Sequence, residues 1–576
     1  MYGSRRYGKR RSPDGRVEAI SYLQTPTRFT MKDHASARFT AFLVAAQVVL
    51  SPFPSAFAVA ADAPPATPPD VQDVYRPQFH FTPSKGWMND PCGMFYHDGD
   101  YHLHYQWNPD LGGWGKHWAQ VVSQDLIHWK PWPVSLSKDP VLGECWSGSG
   151  LVDADNTGGF KTGKEDVLVL VFTINTASEG QAVGLAYSND RGRTWTRYAQ
   201  NPVIRRPDQN KDFRDPKVFW HAPSTRWILV VSRGYTAPGN IYSSSDLKHW
   251  TLLGEVPNGE CPELFELPIE GQPGKTKWVY AAGDYPMTPN GLGMKYFLGD
   301  FDGKVFGNRS PAYRFGGNFF VGQSFSQVPH ADGRRIWMGW KWLDKHGTFG
   351  PWTGGILTIP VALTLRDIPS LGLRLCQNPV KELQSLRGKH FHFDRQTIAE
   401  RNTLLSSRGV QGELLEIIAR FQLDTAAEFG LQLRQGPQGH GTVGYNTAKQ
   451  EVFFAPAAGP NGPVQALAPR DKVVQLHILL DRSVVDIFGN DGITWSCEFF
   501  KADPKNLGME LYAKGGTVQL LSLDLWKLKS RLDASAMRAV GPSVKPDKPR
   551  LSPLDDAVIA WHMADGNDSS GKNSRF

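Results

Sequence analysis

The stretch SNDRGRTW, Ser188 to Trp195, contains a pattern that recurs along the chain and predicts its fold. It follows an apolar run, VGLAYS, and combines Ser-x-Asp with a trailing Trp. SQDLIHW, Ser123 to Trp129, and SSDLKHW, Ser244 to Trp250, repeat the pattern at intervals of about 60 residues. In each copy we expect the carboxylate to accept hydrogen bonds from turn amides while the Trp packs beneath the hairpin. Repetition at this spacing predicts similar four-stranded sheets arranged radially, a β-propeller.

The predicted fold class is all-β, with a five-bladed β-propeller followed by a C-terminal β-sandwich. Five such units fill residues 75–370, the predicted catalytic domain. Residues 371–528 contain short strands separated by Gly, Asn and Asp turns, which is typical of a sandwich. The segment VKELQSL is predicted to form a short helix that joins the two domains.

A Pro- and Lys-rich linker is predicted at residues 529–554. Residues 555–576 turn apolar again and resemble the first strand and turn of a laminin-G-like module. Both a truncated third domain and a frayed tail fit this pattern.

Residues 1–74 are predicted to be a leader, a signal peptide and a Pro/Ala linker. A short apolar run, ARFTAFLVAAQVVL, follows a basic segment, and small residues then predict cleavage near Ala60 or Ala61. The run is too short for a membrane span. Met31 would give a signal of more ordinary length than Met1. The sequence therefore predicts a secreted or periplasmic protein, with no membrane association of the mature form.

The formal charge of +7 gives no support to nucleic-acid binding, because the first 60 residues carry nine Lys/Arg and three Asp/Glu and the remainder is about neutral. The five cysteines are scattered, without a CxxC pair or a Cys/His metal spacing. Disulfides and buried free thiols both stay open. No metal or organic cofactor is implied by the sequence.

Three acids stand beside or one residue before a proline, namely Asp90 in WMNDPCG, Asp215 in FRDPKVFW and Glu260 in GECPELF. Proline restrains its neighbour, so each carboxylate is held rigidly. A single Asp-Pro is more often a plain turn. In a propeller, however, the inner strands of all blades face one channel, where these acids would converge. Convergent carboxylates with nearby Trp are suited to glycoside hydrolysis.

The motifs closely resemble glycoside hydrolase family 32, the invertase, inulinase and levanase family. The resemblance begins with WMNDPCGMFYHDGDYHLHYQWNP and continues through FRDPKVFW, GECPELFELP and LDRSVVDIFGNDG, over residues 75 to about 528. It implies that Asp90 is the nucleophile, Glu260 the general acid/base and Asp215 the transition-state stabiliser.

The same resemblance implies a fructose pocket. The residues expected to line it are Asn89, Gln106, Trp114, Ser147 and Arg214. Trp87 and Trp146 are expected to form an apolar wall, and Trp352 to flank the leaving group. The chain departs from the family pattern at Cys92, where Asn is usual, and at Trp146, where Phe is usual.

The sequence thus predicts a secreted, retaining β-fructofuranosidase, a monomer whose partner is a fructan or a sucrose-like saccharide. Two other hypotheses stay open: another five-bladed propeller glycosidase of the arabinanase or xylosidase type, and a non-catalytic fructan-binding protein on the same scaffold. Linkage preference, exo against endo attack, and hydrolysis against fructosyl transfer are undecided by the sequence.

Overall fold

The structure is a computed structural model and describes residues 74–532, except for 112–114, 179, 289–290, 316–317, 329–333, 344–350, 370, 401, 438, 458–460 and 463. The predicted leader, signal peptide and Pro/Ala linker, most of the Pro/Lys-rich linker and the laminin-G-like segment lie outside these residues. Within the described part of the chain, no helix has the length and apolar character needed to cross a membrane.

Five sheets follow one another along the first part of the chain. The first comprises β1 (Gly86–His97), β2 (Asp100–Asn108), β3 (His117–Ser123) and β4 (Lys130–Leu136). The second comprises β5 (Glu144–Asp153), β6 (Val167–Thr176), β7 (Gly180–Ser188), β8 (Thr196–Arg197) and β9 (Ile204–Arg205). The third comprises β10 (Arg214–His221), β11 (Arg226–Ser232), β12 (Gly239–Ser244) and β13 (Thr251–Val256), with a 3-10 turn at Ala222–Ser224.

The fourth sheet comprises β14 (Glu260–Pro268), β15 (Thr276–Thr288), β16 (Gly291–Phe301), β17 (Phe306–Gly307) and β18 (Tyr313–Arg314). The chain then forms β19 (Phe320–Ser324), β20 (Arg335–Trp342), β21 (Trp352–Thr353), β22 (Gly355–Leu357), β23 (Val361–Ile368) and β24 (Gly372–Pro379). All of these belong to the fifth sheet except β21, which joins the first.

The first strand of each sheet contacts the next around a closed ring: β1 meets β5, then β10, β14, β19 and β1 again. Pairing across the chain closes the ring, since β21 runs parallel to β1, with Gly86 opposite Trp352. The backbone N–H of Leu357 also donates to the carbonyl of Phe81 at 3.0 Å. The prediction of a five-bladed propeller is confirmed.

The repeated turns have the predicted chemistry. Asp125, for example, accepts backbone N–H groups from Ile127 at 3.0 Å and from His128 at 2.8 Å. Trp129 and Trp195, which end the first two copies, are buried beneath their hairpins. Such turns are set by local contacts, which explains why they are visible in the sequence.

Two further sheets form the sandwich. One contains β25 (Arg387–Phe393), β26 (Gln396–Ile398), β27 (Leu414–Gln422), β32 (Val473–Asp481), β33 (Val484–Gly489), β34 (Thr494–Phe499) and β36 (Val518–Leu528). The other contains β28 (Glu428–Gly436), β29 (Gly439–Asn446), β30 (Glu451–Ala455), β31 (Gln465–Ala466) and β35 (Gly508–Lys514). One helical turn, α1 (Leu404–Ser407), precedes β27. Apolar residues that alternate along these strands form one core between the sheets.

The propeller extends further than predicted. Its fifth sheet ends with β24 at Pro379, beyond the predicted end at residue 370, because β24 pairs with β23 along its whole length as the outermost strand. A 3-10 helix at Lys381–Leu386 then leads to the sandwich, where a short joining helix was predicted.

A buried cluster joins the segment before β1 to the sandwich. The carboxylate of Asp481 accepts the backbone N–H groups of Phe79 and His80, each at 2.9 Å. The imidazole of His80 lies between two carboxylates, 2.8 Å from Asp481 and 2.8 Å from Asp486. All three side chains are completely buried. The N-terminal part of the propeller is therefore fixed to the sandwich by charge as well as by packing.

Candidate active site

All five inner strands are irregular near their starts. Each has a shift in its pairing with the next strand, between Met88 and Pro91 in β1, Trp146 and Gly148 in β5, Arg214 and Lys217 in β10, Glu260 and Glu263 in β14, and Phe320 and Gln323 in β19. Bulges turn side chains away from the regular alternation of a strand and are common beside active sites. Because inner strands of successive blades run in the same direction, these shifts lie at one end of the channel.

The three predicted acids lie in these irregular segments. Asp90 is in the shift of β1, Asp215 is in that of β10, and Glu260 opens β14. Asp215 and the neighbouring Cys261 have φ angles of 61° and 45°, in the left-handed region that non-glycine residues rarely occupy. Such backbone persists only where surrounding contacts impose it, and it is concentrated at functional sites.

Asp90 is held through one carboxylate oxygen. The hydroxyl of Ser147 donates to Oδ2 of Asp90, the amide of Gln106 lies 3.3 Å from the same oxygen, and the thiol of Cys261 lies 3.8 Å from it. Burial raises the pKa of Asp90 to about 6, although the positive charge of Lys116 and the Ser147 hydrogen bond oppose this shift. The carboxyl therefore changes its ionisation state at mildly acidic pH.

Arg214 connects the other two acids. Its guanidinium donates through Nη2 to Glu260, and its Nε lies 3.7 Å from Oδ2 of Asp215. The backbone N–H of Cys261 donates to that Asp215 oxygen at 3.1 Å. Burial raises the pKa of Asp215, with Arg214 acting in the opposite direction. Cys261 thus contacts both Asp90 and Asp215, and the three acids belong to one network.

The wall of the site carries aromatic rings and a cation. The ammonium of Lys116 lies 4.6 Å from the ring centroid of Trp146 and 5.4 Å from that of Trp87. The indole N–H of Trp146 donates to Glu144 at 2.8 Å. Oδ1 of Asn89 is buried without a hydrogen-bond partner among the described residues. An acceptor left in this state is costly unless a ligand satisfies it.

Three of the residues singled out from the sequence need separate description: one lies away from its predicted position, one is the buried departure from the family pattern, and one falls outside the described part of the chain. Trp352 is completely buried in the propeller core, where Arg76 stacks 4.2 Å from its ring, so it belongs to the core rather than to a wall beside the leaving group. Cys92 is also completely buried, and its thiol donates at 3.4 Å to the backbone carbonyl of Asp90. Trp114 lies outside the described residues.

Three residues that contact the acids or the aromatic wall were not predicted from the sequence. The phenol of Tyr235 donates to Oε2 of Glu260, Lys116 covers the two Trp rings, and Cys261 bridges Asp90 and Asp215. Cys261 lies inside the quoted motif GECPELF and could have been found there. Tyr235 and Lys116 lie in connections between strands, and no pattern around them distinguishes them from other loop residues.

The cysteines form no disulfide: all five are buried free thiols. One group of side chains among the described residues could hold a metal ion, namely His80, Asp486 and Cys497, whose donor atoms lie within 4.8 Å of one another. His80 and Asp486 belong to the buried cluster between the propeller and the sandwich, and the group contains none of the three acids. The acids themselves can provide the chemistry of glycoside cleavage.

Comparison with known proteins agrees with this geometry. The family model for the glycosyl hydrolases family 32 N-terminal domain matches residues 80–379, and that for the family 32 C-terminal domain matches residues 382–527. A levanase of Bacillus subtilis (strain 168) is 41% identical over 488 residues, which cover 79% of this chain and 70% of the relative. An extracellular exo-inulinase of Aspergillus niger is 33% identical over 519 residues, covering 79% and 95%.

Solved structures give the same result. The crystal structure of exo-inulinase from Aspergillus awamori superposes with a TM-score of 0.73 at 30% identity, covering 80% of this chain and 100% of the other. The two family models together span most of this chain. The chain therefore belongs to glycosyl hydrolases family 32 and is a glycoside hydrolase of that family.

Proposed function

We propose that the protein is a secreted, retaining β-fructofuranosidase that hydrolyses terminal β-D-fructofuranosyl residues of fructans, such as levan or inulin, or of sucrose. The relatives named levanase and exo-inulinase support the substrate class. The observation that carries the proposal is the single network formed by Asp90, Asp215 and Glu260 at the starts of three inner strands. The basic and apolar leader in the sequence supports secretion.

Asp90 is the nucleophile in this proposal. Among the described residues, Oδ2 receives the hydrogen bonds from Ser147, Gln106 and Cys261, which leaves Oδ1 to attack the anomeric carbon. The bond from that carbon to the leaving oxygen breaks as the bond to Oδ1 forms, giving a fructosyl ester on Asp90. The attack needs the ionised carboxylate, so the rate falls as Asp90 becomes protonated.

Glu260 is the general acid and then the general base. It protonates the glycosidic oxygen as this oxygen leaves, and it later takes a proton from the water that cleaves the ester. Its side chain keeps 21% of its surface exposed, more than the side chain of Asp215 at 5%. That exposure suits a group that must meet first a leaving group and then a water molecule. Arg214 and Tyr235 fix the orientation of the carboxyl.

Asp215 and Asn89 bind the sugar rather than break bonds. The backbone of Asp215 is held in place by hydrogen bonds. Its N–H donates to the hydroxyl of Thr173 at 2.8 Å, and that hydroxyl donates to the carbonyl of Ser147 at 2.8 Å. A fixed carboxylate can accept hydrogen bonds from ring hydroxyls and stabilise an oxocarbenium-like transition state. The unpartnered Oδ1 of Asn89 provides a further acceptor for a hydroxyl.

The test is release of fructose from sucrose, inulin and levan by the wild type and by Asp90→Ala and Glu260→Gln. We expect each variant to lose at least ~10⁴-fold in kcat while keeping its circular dichroism spectrum. Asp246→Asn is the matched control, since this acid also lies in the propeller but caps an outer turn. Wild-type turnover in either active-site variant, release of arabinose from arabinan in place of fructose, or fructan binding without sugar release would contradict the proposal.

A further inference from the structure

A second group of charges lies in the propeller channel, on the same strands as the acids. The ammonium of Lys217 on β10 is 2.9 Å from Oε1 of Glu263 on β14. Their side chains are 3% and 0% exposed. A buried ion pair is weak evidence of a stabilising role, because apolar side chains of similar volume are often equally stabilising.

The pair occupies a particular position in each strand. In β10 regular pairing stops at Arg214 and resumes at Lys217, opposite Val230. In β14 it stops at Glu260 and resumes at Glu263, opposite Ala281. Lys217 and Glu263 are thus the first regularly paired residues after the two bulges that present Asp215 and Glu260. The ion pair joins the ends of these bulges directly.

A third strand takes part in the same network. The hydroxyl of Ser324, at the end of β19, donates to Oε2 of Glu263 at 2.5 Å, and its carbonyl accepts from Lys217 at 2.8 Å. The guanidinium of Arg335 donates to the Ser324 hydroxyl at 3.0 Å. Ser324 follows Gln323, where the bulge of β19 ends. Inner strands of three adjacent blades are therefore connected just after their irregular segments.

We propose that Lys217 and Glu263 are positioning residues, which set the separation of Asp215 and Glu260 by locking the two bulges together. The inference rests on the roles proposed above for those two acids. Either single substitution removes the ion pair that joins the strand starts, while Arg335, whose guanidinium is 4.0 Å from Oε2 of Glu263, stays in the network. The two strand starts can then move relative to each other. A displacement of ~1 Å at reacting groups can cost ~10²-fold in rate, even when its cause lies outside the chemistry.

The experiment compares kcat, KM and the pH dependence of kcat/KM for Lys217→Met, Glu263→Gln and the double variant, all on sucrose. We expect kcat to fall ~10²-fold in each single variant with KM changed less than ~3-fold, and the pH profile to shift. The double variant lacks both charges of the pair and should recover part of kcat, although Arg335 then loses its 4.0 Å contact with Glu263. Glu382→Gln is the matched control, because it breaks the Arg334–Glu382 pair, which lies where the propeller leads into the sandwich, and should leave kcat unchanged.

Folded single variants with kcat and pH profile like the wild type would overturn the inference. So would a loss of activity that disappears once rates are divided by the folded fraction, since this result indicates stability alone. If the single variants do not fold, Ser324→Ala, which removes one contact of Glu263, decides by the same two measurements. Failure of the proposed function is distinguishable, because it would show in the products of the wild type or in the turnover of Asp90→Ala and Glu260→Gln, which the Lys217 and Glu263 variants do not affect.

Discussion

Replacement of Ser147 by alanine should move the acidic limb of activity to higher pH. The Ser147 hydroxyl donates to Oδ2 of Asp90, and this bond stabilises the ionised carboxylate. A hydrogen bond to a charged group is worth about 1.5–3 kcal/mol, or about 1–2 pKa units. The Gln106 contact at 3.3 Å survives in the variant, so the lower end of that range applies.

The expected result is a pKa of Asp90 that rises from about 6 in the wild type to about 7 in Ser147→Ala. The sign follows from the proposed mechanism, in which Asp90 must be ionised to attack, because the lost bond favours the ionised form. Initial rates of fructose release at low sucrose concentration give kcat/KM from about pH 4 to about pH 9. The variant should lose about tenfold more activity well below the wild-type midpoint than well above its own midpoint.

Ser149→Ala is the matched control. Ser149 lies on the same strand, is equally buried and accepts the backbone N–H of Val218 at 3.0 Å without touching an acid. It should leave the acidic limb in place. An unchanged midpoint in Ser147→Ala, or a loss of the same size at every pH, would show that the Ser147 bond does not control the ionisation of Asp90.

Three further predictions concern residues other than Ser147. Tyr235→Phe removes the hydrogen bond to Glu260 and should lower kcat ~10-fold with little change in thermal stability, as measured by steady-state kinetics and calorimetry. Cys92→Asn should destabilise the fold by about 1–3 kcal/mol in urea unfolding, because it places a larger side chain at a completely buried position. Burial alone lowers the pKa of His80, but Asp486 and Asp481 outweigh this effect and raise the pKa well above its ordinary value. His80→Gln should therefore lower the free energy of unfolding by about 3 kcal/mol below about pH 6.5, and this difference should shrink as pH rises through the folded pKa. Urea unfolding of the wild type and the variant at several pH values measures it.

The features that the sequence predicted depend on local contacts or on long motifs. The Ser-x-Asp turns are fixed within a few residues, and the motifs around Asp90, Asp215 and Glu260 fix the backbone that presents each acid. Trp352 could not be placed in this way. Its burial depends on the parallel pairing of β21 with β1, which joins residues more than 250 positions apart. Tyr235 likewise reaches Glu260 only through the arrangement of adjacent blades.

The buried position of Cys92 also answers a question that the sequence raised. If position 92 formed part of the pocket wall, a thiol there in place of the usual Asn would disturb the pocket. In this structure the thiol is completely buried, donates to the backbone carbonyl of Asp90 and lies beside Ser147. The departure from the family pattern therefore lies next to Asp90, the proposed nucleophile, at a position closed to solvent.

The most direct test of the proposed mechanism is to trap the sugar on Asp90. Glu260→Gln would be incubated with β-D-fructofuranosyl fluoride, a donor whose leaving group needs no general acid, then quenched in acid, digested and analysed by mass spectrometry. We expect the peptide containing Asp90 to gain one fructosyl unit, because loss of the general base slows hydrolysis of the ester. Consumption of the donor without a fructosylated Asp90 peptide, or a fructosyl unit on Asp215 in place of Asp90, would contradict it.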